Sequence, residues 1–399
     1  MEVPTGAQTS SRTEPPVDEV ISTVVDLWRD LFEDPEIDAD SDFIALGGTS
    51  LIAVKFRERV RDRLGRDLDL QEIFFAPTPR EIAPSILESP AWQEAEAEPT
   101  ADAADESSDL DALLARLLRL PTTYRDFRVP EPAVRLQYGL DAALLHELRD
   151  RGLPFVERDG TRVYDHADLH FVGLRLEKAR PYLTTIRAWR DTLLGLSSSE
   201  RPRVKVTFVP QLDGTDRKPG LVRLPDREVE TTLVHNEPAA SGEFDLRSSW
   251  PPLPDELVRA VATVEELEFF DSRMLTDRPG GKDAAREAGL TSCGTTALIL
   301  GQQFMDAGFR VRAASGLLLS VPYSTEHTWL EVEVDGTWTP VDPTIVRVMQ
   351  RFAALDPTVW PAHRAIGAIL LRVGIGRQAV LSSEDVRVPG TFMTSIVGA

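Results

Sequence analysis

Three residues in the last third of the sequence, Cys293, His327 and Asp342, are of the types that transfer acyl groups. Cys293 is the single cysteine of the 399 residues, which excludes internal disulfides and any multi-cysteine metal site and leaves a thiol that is either packing or chemistry. In "LTSCGTTALILGQQFMDAGFRVRAASG" it stands ahead of Ala297, Leu300 and Phe304, a helical stripe that ends near Gly308. The thiol is thus expected at a helix N-terminus, where the macrodipole favours thiolate and depresses its pKa, with Gly294 leaving room for a substrate.

The other two residues lie on one predicted hairpin. "HTWLEVEVDGTWTPVDPT", residues 327 to 344, alternates, turns at Asp335-Gly336 and alternates again, a strong two-strand signal. A two-residue turn pairs Val334 with Thr337, so Asp342 falls opposite Trp329 and diagonal to His327, about 6 to 8 Å away between Cα atoms. In such a set Cys293 is the nucleophile, His327 shuttles the proton and Asp342 fixes the imidazole tautomer. The backbone N–H of Cys293 is one expected oxyanion donor, and "AREAGLTS" supplies no second, so an indole N–H from elsewhere is expected.

A serine in "IALGGTSLIAV" raises a different question. Ser50 cannot be a hydrolase elbow, because G-x-S-x-G fails at Ile52. Two glycines before a helix start would suit a phosphodiester on its oxygen, and a plain N-cap remains the alternative. Elsewhere, "DHADLH" sets His166 and His170 four apart beside Asp165 and Asp168, but no third protein ligand is in view and no metal is expected. His146, His235 and His363 are isolated.

The segment "DFIALGGTSLIAVKF", followed by "FFAPTPREIA", resembles a peptidyl carrier protein. That resemblance implies 4'-phosphopantetheine covalently attached to Ser50 by a phosphopantetheinyl transferase. Thr49 stands where the family usually has Asp or His. "GFRVRAASG" and "HTWLEVEVDGTWTPVDPT", with Cys293 before them, resemble the transglutaminase-like fold of papain-type enzymes over residues of about 260 to 345. The pair together resembles the carrier-linked transglutaminase-like amide synthases of antibiotic pathways. This implies an amide bond formed between a carrier-bound acyl thioester and a carrier-bound aminoacyl group. A stand-alone adenylation enzyme would load the arm and an acyl carrier protein would donate the chain. A hydrolysing thioesterase or amidase is the alternative, and a non-catalytic aminoacyl carrier scaffold the third.

The elements that must position these residues fall into an organised chain. Val20, Ile21, Val24, Leu27, Trp28 and Leu31 make an amphipathic helix over residues 17 to 32, and Ile52, Phe56, Val60 and Leu64 make a second that Gly65 stops. "IFFAPTPREIAPSILES" adds two aromatic plugs, a proline break and a short helix. The expectation is an all-α four-helix carrier bundle over 1–89, an acidic flexible linker over 90–109, an α+β region over 110–250 that matches no named fold and is expected to be part of the catalytic unit, and a transglutaminase-like α+β domain over 251–399. Lys55, Arg57, Arg59 and Arg61 make the second helix basic, as a docking face or as a solvated face of ion pairs.

A net charge of -21 argues against nucleic-acid binding, since a phosphate backbone would be repelled. The 42% hydrophobic and 27% charged fractions, a polar start and the lack of a long apolar run lead to the expectation of a cytoplasmic protein with no membrane partner.

Overall fold

The computed structural model describes residues 16–32, 34–43, 46, 50–68, 73, 76–91, 103–212 and 217–397. The chain divides into two compact units, one up to residue 98 and the other from residue 99.

The first unit is helical. Its described helices are Val17–Phe32, Ser50–Leu64 and Pro79–Glu88, and the expected fourth helix and the aromatic plugs Phe74 and Phe75 lie outside the described residues. The apolar stripes meet around Trp28, which is fully buried with Phe43 and Phe56 at ring-centroid distances of 5.3 and 5.7 Å. Phe43, in the loop that precedes the second helix, is buried, and Leu46 packs against the same core. Gly65 ends the second helix with φ +63°, a backbone that L side chains adopt only at a cost. The last helix starts on an N-cap threonine: Thr78 Oγ1 accepts from the Glu81 N–H at 3.2 Å and donates to the Glu81 carboxylate at 3.0 Å. Arg57, Arg59 and Arg61 pair with Asp67, Asp30 and Asp62, which favours the solvated reading of this basic face.

The second unit combines helices with an antiparallel sheet. Its main sheet runs Leu370–Ile375, Val311–Leu318, Tyr323–Val334, Gly390–Ile396, Arg203–Pro210 and Ala240–Asp245, with Thr337–Val341 also paired to Tyr323–Val334. The alternation in "RVKVTFVP" explains one of these strands, since Val204, Val206 and Phe208 are buried while Lys205 faces out. Two strands of the 110–250 region hydrogen-bond into the sheet that carries His327, and one compact unit runs from residue 99 onward.

The linker expectation also needs correction at its C-terminal end. A helix spans Ala103–Leu118, beginning inside the acidic stretch. Leu110, Leu113, Leu114 and Leu117 bury its inner face. A buried arginine ties that helix down: Arg125 donates to Leu120 O at 2.6 Å, Leu117 O at 2.9 Å and Asp168 Oδ2 at 2.6 Å. Arg125→Met would leave a buried carboxylate and two carbonyls without this partner. The expected loss is about 3–5 kcal/mol, read as a lowered denaturant midpoint of the second unit's unfolding transition with the carrier transition unmoved.

Candidate functional site

Cys293 opens the helix Cys293–Asp306, whose N-cap Ser292 accepts from the Thr295 N–H at 3.2 Å. The helix stops as its sequence indicates, with Gly308 at φ +85°. The hairpin register is the expected one, Val334 facing Thr337 and Leu330 facing Val341. One residue beyond that pairing, Asp342 leaves the strand and caps the helix Pro343–Ala353, with Oδ1 accepting from the Ile345 N–H at 3.1 Å. Its Oδ2 lies 2.5 Å from His327 Nε2. One carboxylate thus caps a helix and holds the imidazole.

The structure brings the three residues together: the ligand-type atoms of Cys293, His327 and Asp342 all lie within 4.8 Å of one another. With Nε2 engaged by Asp342, Nδ1 is the ring nitrogen left to exchange a proton with sulfur. His327 is nearly buried, and Trp329 stacks beside it at 6.1 Å and 15°. On its other side His327 faces Gly316 across the sheet, where a Cβ would lie 2.0 Å from Leu371 O, so only glycine lets the next strand approach. A hydroxyl chain, Thr291 to Thr296 at 2.8 Å and Thr296 to Thr344 at 2.8 Å, binds the cysteine helix to the helix that Asp342 caps.

Two expectations about the cysteine are overturned. Burial raises the thiol well above its ordinary value, and the carboxylates of Asp342 and Asp271 push the same way. A helix dipole worth a fraction of a kcal/mol to about 2 kcal/mol does not offset that combination. The direction is therefore opposite to the expected depression. Gly294, expected to leave room for substrate, is instead approached by Thr276, whose Cγ2 would lie 2.8 Å from an added Cβ.

The histidines of "DHADLH" belong to a second cluster, but its carboxylates serve structure. Asp165 caps the helix His166–Arg175 and Asp168 pairs with Arg125. His166 Nδ1 lies 2.7 Å from the Tyr138 hydroxyl, and His166 Nε2 lies 3.8 Å from Asp271 Oδ2. His170 stacks on His166 at 5.7 Å and meets Tyr182 edge-on at 4.2 Å. Burial lowers His170 to about 4, so it is neutral at pH 7. Tyr138, Tyr182 and Asp271 were not singled out from the sequence, and no periodic signal in "EFFDSRM" points to the last of them. Of the isolated histidines, His146 makes an exposed pair with Asp150, while His235 Nδ1 accepts from the Leu212 N–H.

A cleft of about 310 Å³ borders the site, lined in part by Phe269, Thr291, Pro343, Thr344 and Val348. A larger one, about 810 Å³, is lined by Glu131, Arg135, Asp141 and Arg162 among others, and neither cleft is lined by Cys293, His327 or Asp342. For the oxyanion, the Trp329 indole N–H is committed to Glu331 at 3.4 Å. The Trp189 indole N–H is buried without a hydrogen-bond partner among the described residues, and Trp189 packs against the same core as Cys293.

In the first unit, Ser50 is the first residue of its helix, and Gly47, Gly48 and Thr49 lie outside the described residues. Among the described residues no helix is long and apolar enough to cross a membrane.

Residues 22–84 match the family model of the phosphopantetheine attachment site. Curated relatives include malpinin synthetase of Mortierella alpina, 36% identical over 81 residues, 20% of this chain and 1% of that protein. Phosphinothricin tripeptide synthetase PhsB of Streptomyces viridochromogenes is 33% identical over 78 residues, 19% of this chain and 7% of its own length. Pyochelin synthetase PchF of Pseudomonas aeruginosa is 32% identical over 81 residues, 19% and 4% respectively. The chain thus spans only 1% to 7% of these relatives. It contains a carrier domain of the kind found in nonribosomal peptide synthetases, bearing 4'-phosphopantetheine on a serine.

Proposed function

We propose that this chain is a carrier-fused, transglutaminase-like acyltransferase that forms an amide bond in nonribosomal peptide or hybrid polyketide biosynthesis. The carrying observation is the Cys293, His327 and Asp342 set within 4.8 Å in a chain that also holds a carrier domain. Ser50 is the attachment residue, modified by a phosphopantetheinyl transferase and loaded with an amino acid by a separate adenylation enzyme. The arm supplies a thiol that presents an acyl or aminoacyl group as a thioester.

Burial and two nearby carboxylates disfavour the Cys293 thiolate, so His327 takes the thiol proton as sulfur attacks the thioester carbonyl of a donor acyl carrier protein. The donor C–S bond breaks, and the departing thiol takes that proton from the imidazolium, which Asp342 stabilises meanwhile. An amine then attacks the acyl-cysteine and releases the amide. The backbone N–H at Cys293, with the Trp189 indole as the candidate second donor, would hold the oxyanion.

Water competes for any acyl enzyme, so net amide formation requires the amine to be held close. Covalent fusion of carrier and nucleophile supports this, since a short tether gives an effective concentration of roughly millimolar. Cutting the folded chain at a protease site placed within residues 92 to 102 is expected to lower the amide-to-acid product ratio, with a donor thioester supplied in trans. An equal ratio before and after cutting, or free acid alone in both, would replace the synthase with a hydrolase.

A further inference from the structure

A second His–carboxylate pair, His166 with Asp271, stands near enough for its charge to reach the nucleophile, and the mechanism above does not use it. Glu268–Phe269 runs parallel to Leu290–Thr291, pairing Glu268 with Leu290 and Phe269 with Thr291. The Phe270 N–H donates to Thr291 O at 2.7 Å just past that bridge. Two residues past that bridge stand Asp271 on one side and Cys293, the first residue of its helix, on the other. The Asp271 side chain is 53% exposed, so it is open to an incoming molecule, while the ring of its partner His166 is 26% exposed. Behind the pair stands a wall of Tyr138, His170, Tyr182 and Phe269. His170 is 3% exposed, and its Nδ1 has no hydrogen-bond partner among the described residues.

A carboxylate beside a cysteine nucleophile works against thiolate formation, and its charge does reach this thiol. Such a group is unhelpful for acylation and becomes useful only once sulfur is acylated and a cation must approach. Partial desolvation acts to raise Asp271, but the His166 contact and the charges of His170, His166 and Arg273 outweigh it and hold it at about 2. It is an anion at every pH where the chemistry would run.

Resting on the acyl-cysteine reading, we propose that Asp271 and His166 form the acceptor subsite, which takes a primary amine as its ammonium ion. Asp271 binds the ammonium and the aromatic wall flanks it. His166 takes one proton from nitrogen, and the imidazolium so formed is stabilised by Asp271. The free amine attacks the carbonyl carbon of the Cys293 thioester, forming the C–N bond. Collapse breaks the C–S bond, and the second nitrogen proton passes through His327 to the departing sulfur, regenerating the thiol. The balance is acyl-cysteine plus ammonium giving amide, thiol and one proton, which His166 releases to solvent.

The test uses the full chain before arm attachment, in which Cys293 is the only thiol. Alkylation rates of Cys293 by cationic 2-bromoethylamine and by neutral iodoacetamide are compared by intact mass, a readout that needs no acyl enzyme. Asp271→Asn is expected to lower the cationic-to-neutral rate ratio about fivefold or more, and Asp271→Glu to restore most of it. His166→Gln should keep the cationic preference. Its Cys293 acyl enzyme, made from an acyl N-acetylcysteamine thioester, should react about tenfold or more slowly with ethylamine relative to hydroxylamine, which is neutral at pH 8. An unchanged alkylation ratio in Asp271→Asn overturns the subsite. A retained ratio effect with no acyl enzyme in the unsubstituted protein overturns the acyl-cysteine reading instead.

Discussion

A Cys293→Ala chain is expected to take up no acyl group from a thioester, where the unsubstituted chain before arm attachment gains one on its single thiol. Intact-protein mass spectrometry reads this directly. His327→Ala removes the acceptor for the thiol proton, so acylation should slow about a hundredfold or more. Asp342→Asn is the sharper variant. Asparagine can still accept from the Ile345 N–H through its side-chain oxygen and so keeps the helix cap. It loses the charge that steadies the imidazolium, so the same order of slowing is expected without loss of folding. Full acylation of Cys293→Ala, or an Asp342→Asn rate equal to that of the unsubstituted chain, would make the three-residue cluster structural.

Ser50→Ala is expected to abolish arm attachment. A phosphopantetheinyl transferase with coenzyme A should add one phosphopantetheine mass to the unsubstituted chain and none to the variant. Cost to the fold should be modest, because loss of a serine at a helix start is worth about 1 kcal/mol. Circular dichroism of the variant should be unchanged. Modification that persists in Ser50→Ala would move the attachment to another serine.

Where the sequence was legible, a local rule fixed the geometry. The Asp335-Gly336 turn sets the hairpin register by itself, and with it the approach of Asp342 to His327. The stripe after Cys293 fixes its helix in the same way. The rest depends on partners remote in the chain. Strand Gly390–Ile396 pairs with Arg203–Pro210 across almost two hundred residues, and alternation within either strand does not name its neighbour. Asp271 stands two residues past a bridge of two residue pairs, Glu268 with Leu290 and Phe269 with Thr291, too short to carry a period. The direction of the thiol shift was misjudged for the same reason. The helix end was visible in the sequence, while the burial and the two carboxylates were products of tertiary packing.

The pairing of Gly390–Ile396 with Arg203–Pro210, and of Leu381–Ser383 with Arg217–Arg223, also sets where this protein can be recombined. A chimera that joins at residue 250 would split hydrogen-bonded neighbours in two sheets and strip the His327 sheet of two strands. A chimera that joins between residues 92 and 102 leaves every described strand pair with its own partner. Exchange of one carrier for another should therefore succeed there, while the cysteine-bearing unit has to be inherited whole.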